Sequence, residues 1–220
     1  MADTSNPARF MLNGGNPVLD LVNTLDNRYR ADGPVELLCD YQDLLRFARQ
    51  AGLLNVRQAG LLGAAANKDA AGRAAAAEAL KSARTLREAA ASVLYAVVDG
   101  RPPPAAAIHT LDGRYLDAVR HRQLKWHPSS TPSVAPTSAC WVWRPCKQEL
   151  ALPNWMLAQA ACDLMTSGML DRLRACGSET CRWLFLDTSK NHTRRWCDMK
   201  ICGNRMKARR FHARRQRDEG

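Results

Sequence analysis

The sequence lacks most of what would mark a membrane protein, an exported protein or an enzyme. It has no run of about 18 consecutive apolar residues, which excludes a helical membrane span. Asp3 and Asn6 stand where an export signal needs a basic start and an apolar core, so a cytoplasmic location is expected. Histidine is scarce, and His109, His121 and His127 are isolated. There is no Ser/His/Asp set, no H-E-x-x-H pair and no glycine-rich phosphate loop, so the chain is read as a non-enzyme. Repeats at solenoid periods are also missing.

What is present is charge, unevenly placed. The 220 residues are 46% hydrophobic and 24% charged, which suits a folded chain of one good-sized domain, or one domain and a small module. Lys and Arg number 32 against 21 Asp and Glu, for a net charge of +11. Residues 176–220 hold 12 basic and 5 acidic residues, and the stretch 204–217 has seven basic residues and no acid. Such an asymmetry points to a polyanionic partner. Cysteine is lopsided in the same way: Cys39, Cys140, Cys146 and Cys162 are scattered, but Cys176, Cys181, Cys197 and Cys202 fall within 27 residues.

The fold class read from this pattern is mainly α. A multihelical N-terminal domain with a small β-ribbon, over residues 1–174, precedes a four-cysteine module with a basic helix over 175–220. Val18, Leu21, Val22 and Leu25 repeat at helical spacing near 17–27. Asp40 is placed to cap a helix that Gly52 stops, and Asp69 to cap the second of two helices in the alanine-rich segment 56–99. Leu86, Ala90, Val93, Leu94 and Val97 form its apolar stripe, and Gly100 with Pro102-Pro103-Pro104 ends it. Ile108, Leu111, Tyr115 and Val119 are expected to share a face of a helix at 105–119. Alternation around Leu124-Trp126 and Cys140–Trp143 predicts a two-stranded ribbon near 121–147, joined by a Pro/Ser/Thr-rich connection at 128–138. Pro153 opens a last body helix, with Trp155, Leu164, Met165, Leu170 and Leu173 as core candidates.

The spacing Cys176-x4-Cys181-x15-Cys197-x4-Cys202 is two close pairs on tight turns, brought together by the loop between them. That is what a tetrahedral Zn²⁺ site needs. Iron–sulfur ligation also uses four thiolates but at other spacings, and four unrelated thiols or two disulfides are the plainer alternatives. With every position filled by sulfur, such a zinc would be structural. It would also help a small, highly charged module that buries little apolar surface, whose floor is expected from Trp183, Leu184, Phe185, Leu186 and Trp196. His192 and His212 are the competing ligands but lack the pair spacing. Cys140 and Cys146 form a weak second pair, expected to be reduced and structural.

These residues carry a resemblance. Cys181-Arg182-Trp183-Leu184-Phe185-Leu186-Asp187, then Arg194-Arg195-Trp196-Cys197, leads into Cys202-Gly203-Asn204-Arg205. The segment resembles the CGNR zinc-finger family, named for its last tetrapeptide. Gly14-Gly15 followed by Leu19-Asp20-Leu21-Val22-Asn23-Thr24-Leu25 is similar to the ABATE domain that precedes this finger in bacterial proteins. The resemblance implies Cys176, Cys181, Cys197 and Cys202 as zinc ligands, a helical N-terminal domain, and a stress-induced transcription regulator.

Arg205 to Arg217 contains neither Gly nor Pro and can continue as a helix out of the second zinc turn. With Arg194 and Arg195, its residues Arg205, Lys207, Arg209, Arg210, Arg214 and Arg215 are the candidate nucleic-acid contacts. Arg205 and Arg209 are the candidates for reading guanine, Met206 and Phe211 for docking the helix on the finger, and Asn204 for a turn residue. A solvated basic end is the plainer alternative. The functional expectation is a transcriptional regulator binding double-stranded DNA, its N-terminal domain a sensor or dimerisation unit. An RNA- or ribosome-associated zinc protein and a small-molecule-binding regulatory domain are the alternatives. For an effector, Asp20 and Asn23, three apart on one helix face, are expected to line a polar pocket with Asp26 and Arg28.

Overall fold

A computed structural model of the chain describes residues 9–126, 139–144 and 149–218. Helix α1 (Pro17–Asn23) leads through two short paired strands, β1 (Leu25–Asp26) and β2 (Val35–Glu36), to α2 (Tyr41–Gln50), α3 (Val56–Asn67), α4 (Ala70–Val98) and α5 (Ala105–Arg120). An antiparallel ribbon of β3 (Arg122–Trp126) and β4 (Ala139–Trp143) follows, then α6 (Leu152–Thr166). The C-terminal part is a hairpin of β5 (Leu173–Ala175) and β6 (Leu184–Leu186), a π turn at Met199–Gly203, and α7 (Asn204–Asp218). Among the described residues no helix is long and apolar enough to cross a membrane.

Local chemistry accounts for the helix ends. Asp40 and Asn55 accept from the backbone three residues on, and Asp43 and Gln58 reciprocate, so α2 and α3 each open with a capping box. Asp69 caps α4, and Gly52 and Gly100 terminate α2 and α4 at positive φ. Helix α4 is the spine. Its alanines (Ala76, Ala79, Ala83 and Ala90 are buried) let α1, α3, α5 and α6 pack close around it. At the α3–α4 corner a Cβ on Gly72 would come within 2.3 Å of the Ala65 carbonyl, so only glycine fits.

Several expectations shift. Helix α1 stops at Asn23, because the Thr24 hydroxyl bonds back to the Leu21 carbonyl and the chain turns into β1. On α5 the inner face is Ala107, Leu111 and Ala118, whereas Ile108 and Val119 are exposed. This buried face belongs to a helix that packs against α4 and α6. In α6 and beyond, Trp155, Leu164 and Leu173 are buried while Met165 and Leu170 only pack on the core's edge. The connection 128–138 and Cys146 lie outside the described residues.

The largest correction concerns the first helix. Asp20 and Asn23 are spent on tertiary hydrogen bonds, and Asp26, beyond the helix end, lines a cleft beside Cys181, Cys197 and Cys202. Asp20, 7% exposed, accepts from Gly14 N–H at 2.7 Å. The Asn23 carboxamide both donates to the Leu184 carbonyl and accepts from Leu184 N–H, each at 2.9 Å. Asp26 accepts from the Trp183 indole at 2.8 Å, and Arg28 pairs with Glu88. Leu186 N–H completes the seam by donating to the Gly14 carbonyl at 2.9 Å. Thus Asn23 and Gly14 act as a strand on the free side of β6. A Cβ on Gly14 would come within 2.7 Å of Leu19 Cβ, so the seam requires glycine there.

Two tests follow from the seam. Asn23→Ala strips both partners from a buried backbone amide and is expected to destabilise the chain by about 2–5 kcal/mol. Asn23→Asp should do no better, since a carboxylate cannot donate to the Leu184 carbonyl. Chemical denaturation of both variants against the parent measures this. The second test uses pH. Burial pushes the Asp20 carboxyl from 3.8 up to about 6, against the opposing Gly14 hydrogen bond. In that window the folded chain keeps a proton that the unfolded chain has released. Asp20 therefore contributes less stability as pH rises from about 4 to 6, and a constant amount above. Asp20→Asn removes the titration while keeping an acceptor for Gly14. Its stability relative to the parent is expected to improve over that window by roughly 1–3 kcal/mol, then level off. A difference that does not vary with pH would contradict the buried-carboxyl account.

Candidate metal centre and basic helix

Strand β6 has two faces that serve two cores. Leu184 and Leu186 point into the helical body, whereas Trp183 and Phe185 pack with the four cysteines. The apolar floor expected of the cysteine module is therefore split, with Trp196 packed against its edge. This follows from strand alternation, since successive side chains face opposite ways.

The first cysteine pair is held by the hairpin. Cys176 N–H donates to the Trp183 carbonyl at 2.8 Å, Cys181 N–H to Ser178 at 3.1 Å, and Gly177 N–H to Arg195 at 2.8 Å. The second pair is held by Asp198, whose carboxylate accepts from Lys200 and Ile201 N–H while its carbonyl accepts from Cys202 and Gly203. At Gly203 the Met199 side chain folds close over the backbone: a Cβ there would lie 2.4 Å from its sulfur, so a larger residue would displace Met199.

All four thiols are buried, and their Sγ atoms lie within 4.8 Å of one another. Cys181–Cys197 is 3.7 Å and Cys197–Cys202 is 3.6 Å. A tetrahedron with Zn–S bonds of about 2.3 Å has edges of about 3.8 Å, whereas a disulfide needs about 2.05 Å. The spacing fits one ion at the centre and no S–S bond. Among themselves the sulfurs divide: thiol donors from Cys181 and Cys197 hold Cys176 down at about 2. The same contacts push Cys181 and Cys197 up, and burial raises Cys202. Four sulfurs at this spacing are a donor set that a divalent cation would complete by displacing the thiol protons. His192 is not a competitor: its Nδ1 lies 3.3 Å from the Asp187 carbonyl, and it is not part of the sulfur cluster. The side chain of His212 lies outside the described residues.

Of the candidate nucleic-acid contacts, Arg194 drops out. Its guanidinium donates to the carbonyls of Asn13, Trp196 and Cys197 and lies 4.2 Å over the Phe185 ring. It is half-buried and braces the second cysteine turn against the body. Arg195 is exposed beside Trp196. Arg205, Lys207, Arg209 and Arg215 are exposed on α7, and the side chains of Arg210 and Arg214 lie outside the described residues. Asn204 opens α7 and is exposed, and its backbone N–H closes the π turn by donating to the Ile201 and Met199 carbonyls. Lys200, exposed on the π turn, joins the basic surface and was not singled out by the sequence. Met206 is half-buried at the start of α7, while Phe211 is 59% exposed.

Further contacts tie the finger to α4. Arg182 reaches Asp99 at 2.8 Å and lies over the rings of Tyr29 and Tyr95, and the Tyr95 hydroxyl donates to the Arg182 carbonyl. Asp187, fully buried, orders the loop before Cys197 by accepting from Ser189 and from Arg194 N–H; the Ser189 hydrogen bonds keep its carboxyl below the ordinary range. Neither role was legible as a motif, because both depend on which loops meet.

Two family models match the chain. The ABATE model, described as "Putative stress-induced transcription regulator", covers residues 15–168, and the CGNR zinc finger model covers 172–215. Both are regulator or zinc-finger families, not enzyme families. No curated protein matches. The finger match and the sulfur geometry agree on zinc as the cofactor. Zinc analysis of the purified chain is expected to give one ion per molecule. Cys197→Ala should lose it and unfold the finger, while Cys162→Ala, outside the cluster, should keep it. Unchanged metal content in Cys197→Ala would overturn the site.

Proposed function

This chain belongs to the ABATE family and ends in a CGNR zinc finger, and we propose that it is a cytoplasmic transcriptional regulator that binds double-stranded DNA through α7. Cys176, Cys181, Cys197 and Cys202 are the ligands of a structural zinc that fixes the start of α7. Arg205, Lys207 and Arg209 on α7, with Arg195 and Lys200 beside the finger, supply phosphate contacts, and the ABATE domain is the sensing unit. The observation carrying this reading is a helix with seven basic residues in 204–217 and no acid there, launched from a closed four-thiol cluster. Phosphates relieve the mutual repulsion of those cations.

Duplex DNA is favoured over single-stranded RNA by the finger's aromatics. Sequence-specific RNA readers stack bases on exposed rings. Trp183 and Phe185 are buried and Trp196 is half-buried. Asn204 and Arg205, exposed at the N-terminal end of α7, are the side chains best placed to meet base edges.

Anisotropy titrations of a labelled duplex over a salt series test the reading. The slope of log K against log salt is expected at about −4 to −6, and each of Arg205→Ala and Arg209→Ala should reduce its magnitude by about 0.9. Arg194→Ala should leave the slope and lower the thermal midpoint instead. No measurable duplex binding at low salt by the zinc-loaded chain, or stronger binding to single-stranded RNA, would overturn the proposal.

A further inference from the structure

A cleft lies far from the finger, where the first turns of α4 meet α5 and the start of α6. It encloses about 540 Å³, the size of a small-molecule site. Alanines of α4 form one wall and Trp155 part of another. The Trp155 ring is fixed from both sides, stacked on His121 at 3.6 Å with its indole N–H on Asp117 at 2.9 Å.

Three observations define what would bind. Asn154, 6% exposed and lining the cleft, spends its Nδ2 on the Ala79 carbonyl at 2.9 Å, and no donor among the described residues meets its buried Oδ1. A buried acceptor left unmade costs roughly 1–3 kcal/mol, so a ligand N–H has something to gain there. Second, carboxylates outnumber cations four to two, Asp69, Glu78, Asp117 and Glu149 against Lys68 and Arg114, on a chain of net charge +11. Third, the start of α6 has little to offer an anion. Leu152 and Asn154 N–H already donate to Glu149 and Ala151, and Pro153 has no N–H.

We propose that this cleft binds a small organic amine: an ammonium or amidinium donor on an apolar body. The nitrogen meets Asn154 Oδ1 and the acidic rim, and the body lies against the alanine wall and Trp155. The site gives the sensing role of the ABATE domain a location different from the helix α1 residues. It also sits on the helix that holds the finger: Ala79 and Tyr95 are sixteen residues apart on α4, about 24 Å along its axis.

Benzamidine and benzoate, alike in shape and opposite in charge, test this by amide NMR on the zinc-loaded full chain. Benzamidine is expected to bind with a dissociation constant on the order of 1 mM, shifting the Asn154 side-chain amide and the backbone of Ala75 and Ser82, while benzoate shifts none of them. Asn154→Leu should abolish these shifts. Should Asn154→Leu not fold, Glu78→Gln decides, since the Glu78 side chain is 70% exposed and paired only weakly with Lys81. It should weaken benzamidine about threefold. Equal binding of benzoate, shifts confined to other surfaces, or affinity unchanged in Glu78→Gln would overturn the proposal. No nucleic acid is present in the assay, so its failure leaves the DNA reading standing.

Discussion

The hydrogen bonds that Asn23 exchanges with Leu184 join the two halves of the molecule, and much of the remaining architecture is arranged around them. Strand β6 is only three residues long, too short to be stable on one neighbour. It survives because β5 pairs with one edge while Asn23 and Gly14 occupy the other. Once held there, its alternation commits Leu184 and Leu186 to the helical core and Trp183 and Phe185 to the sulfur cluster. The finger is therefore not a bead on a string. Its middle strand is also part of the body's core.

That sharing changes what zinc has to do. A small cysteine module with this much charge would depend on the metal to fold at all. Here the first cysteine turn grows from a strand already anchored by the body, and Arg194 ties the second turn to Asn13. A bound zinc would then join the second pair to a first pair that the body already holds. This in turn sets the direction of α7, which begins one residue after Gly203 at the end of the π turn. A basic helix aimed by a rigid base loses less freedom on meeting any partner than a free tail would.

Charge is distributed with the same economy. The most buried cation of the body, Arg87, is neutralised by Glu36 at 2.6 Å, and Arg28 by Glu88. Acidic groups gather instead at the cleft between α4, α5 and α6, while exposed positive charge lies on α7 and the π turn. The two regions of opposite sign lie toward opposite ends of α4.

What the sequence determined by itself was everything governed by near neighbours. The four-sulfur cluster was legible because each pair closes its own turn, so x4 spacing is enough. The caps at Asp40 and Asp69, the stops at Gly52 and Gly100 and the ribbon's two strands were legible for the same reason. The tertiary structure alone decided roles that depend on remote partners. Asn23 bonds a residue 161 positions away, and nothing in its own helix distinguishes a clasp from a ligand-pocket residue. Arg194 looks like every other arginine of the basic segment until Phe185 and three carbonyls surround it. Ile108 and Val119 match the period of a shared face, yet the buried face of α5 is the neighbouring one of Ala107, Leu111 and Ala118. Periodicity and spacing report what a segment can form. Which side chain is buried, paired or left exposed is set by packing between segments, and a one-dimensional pattern does not contain it.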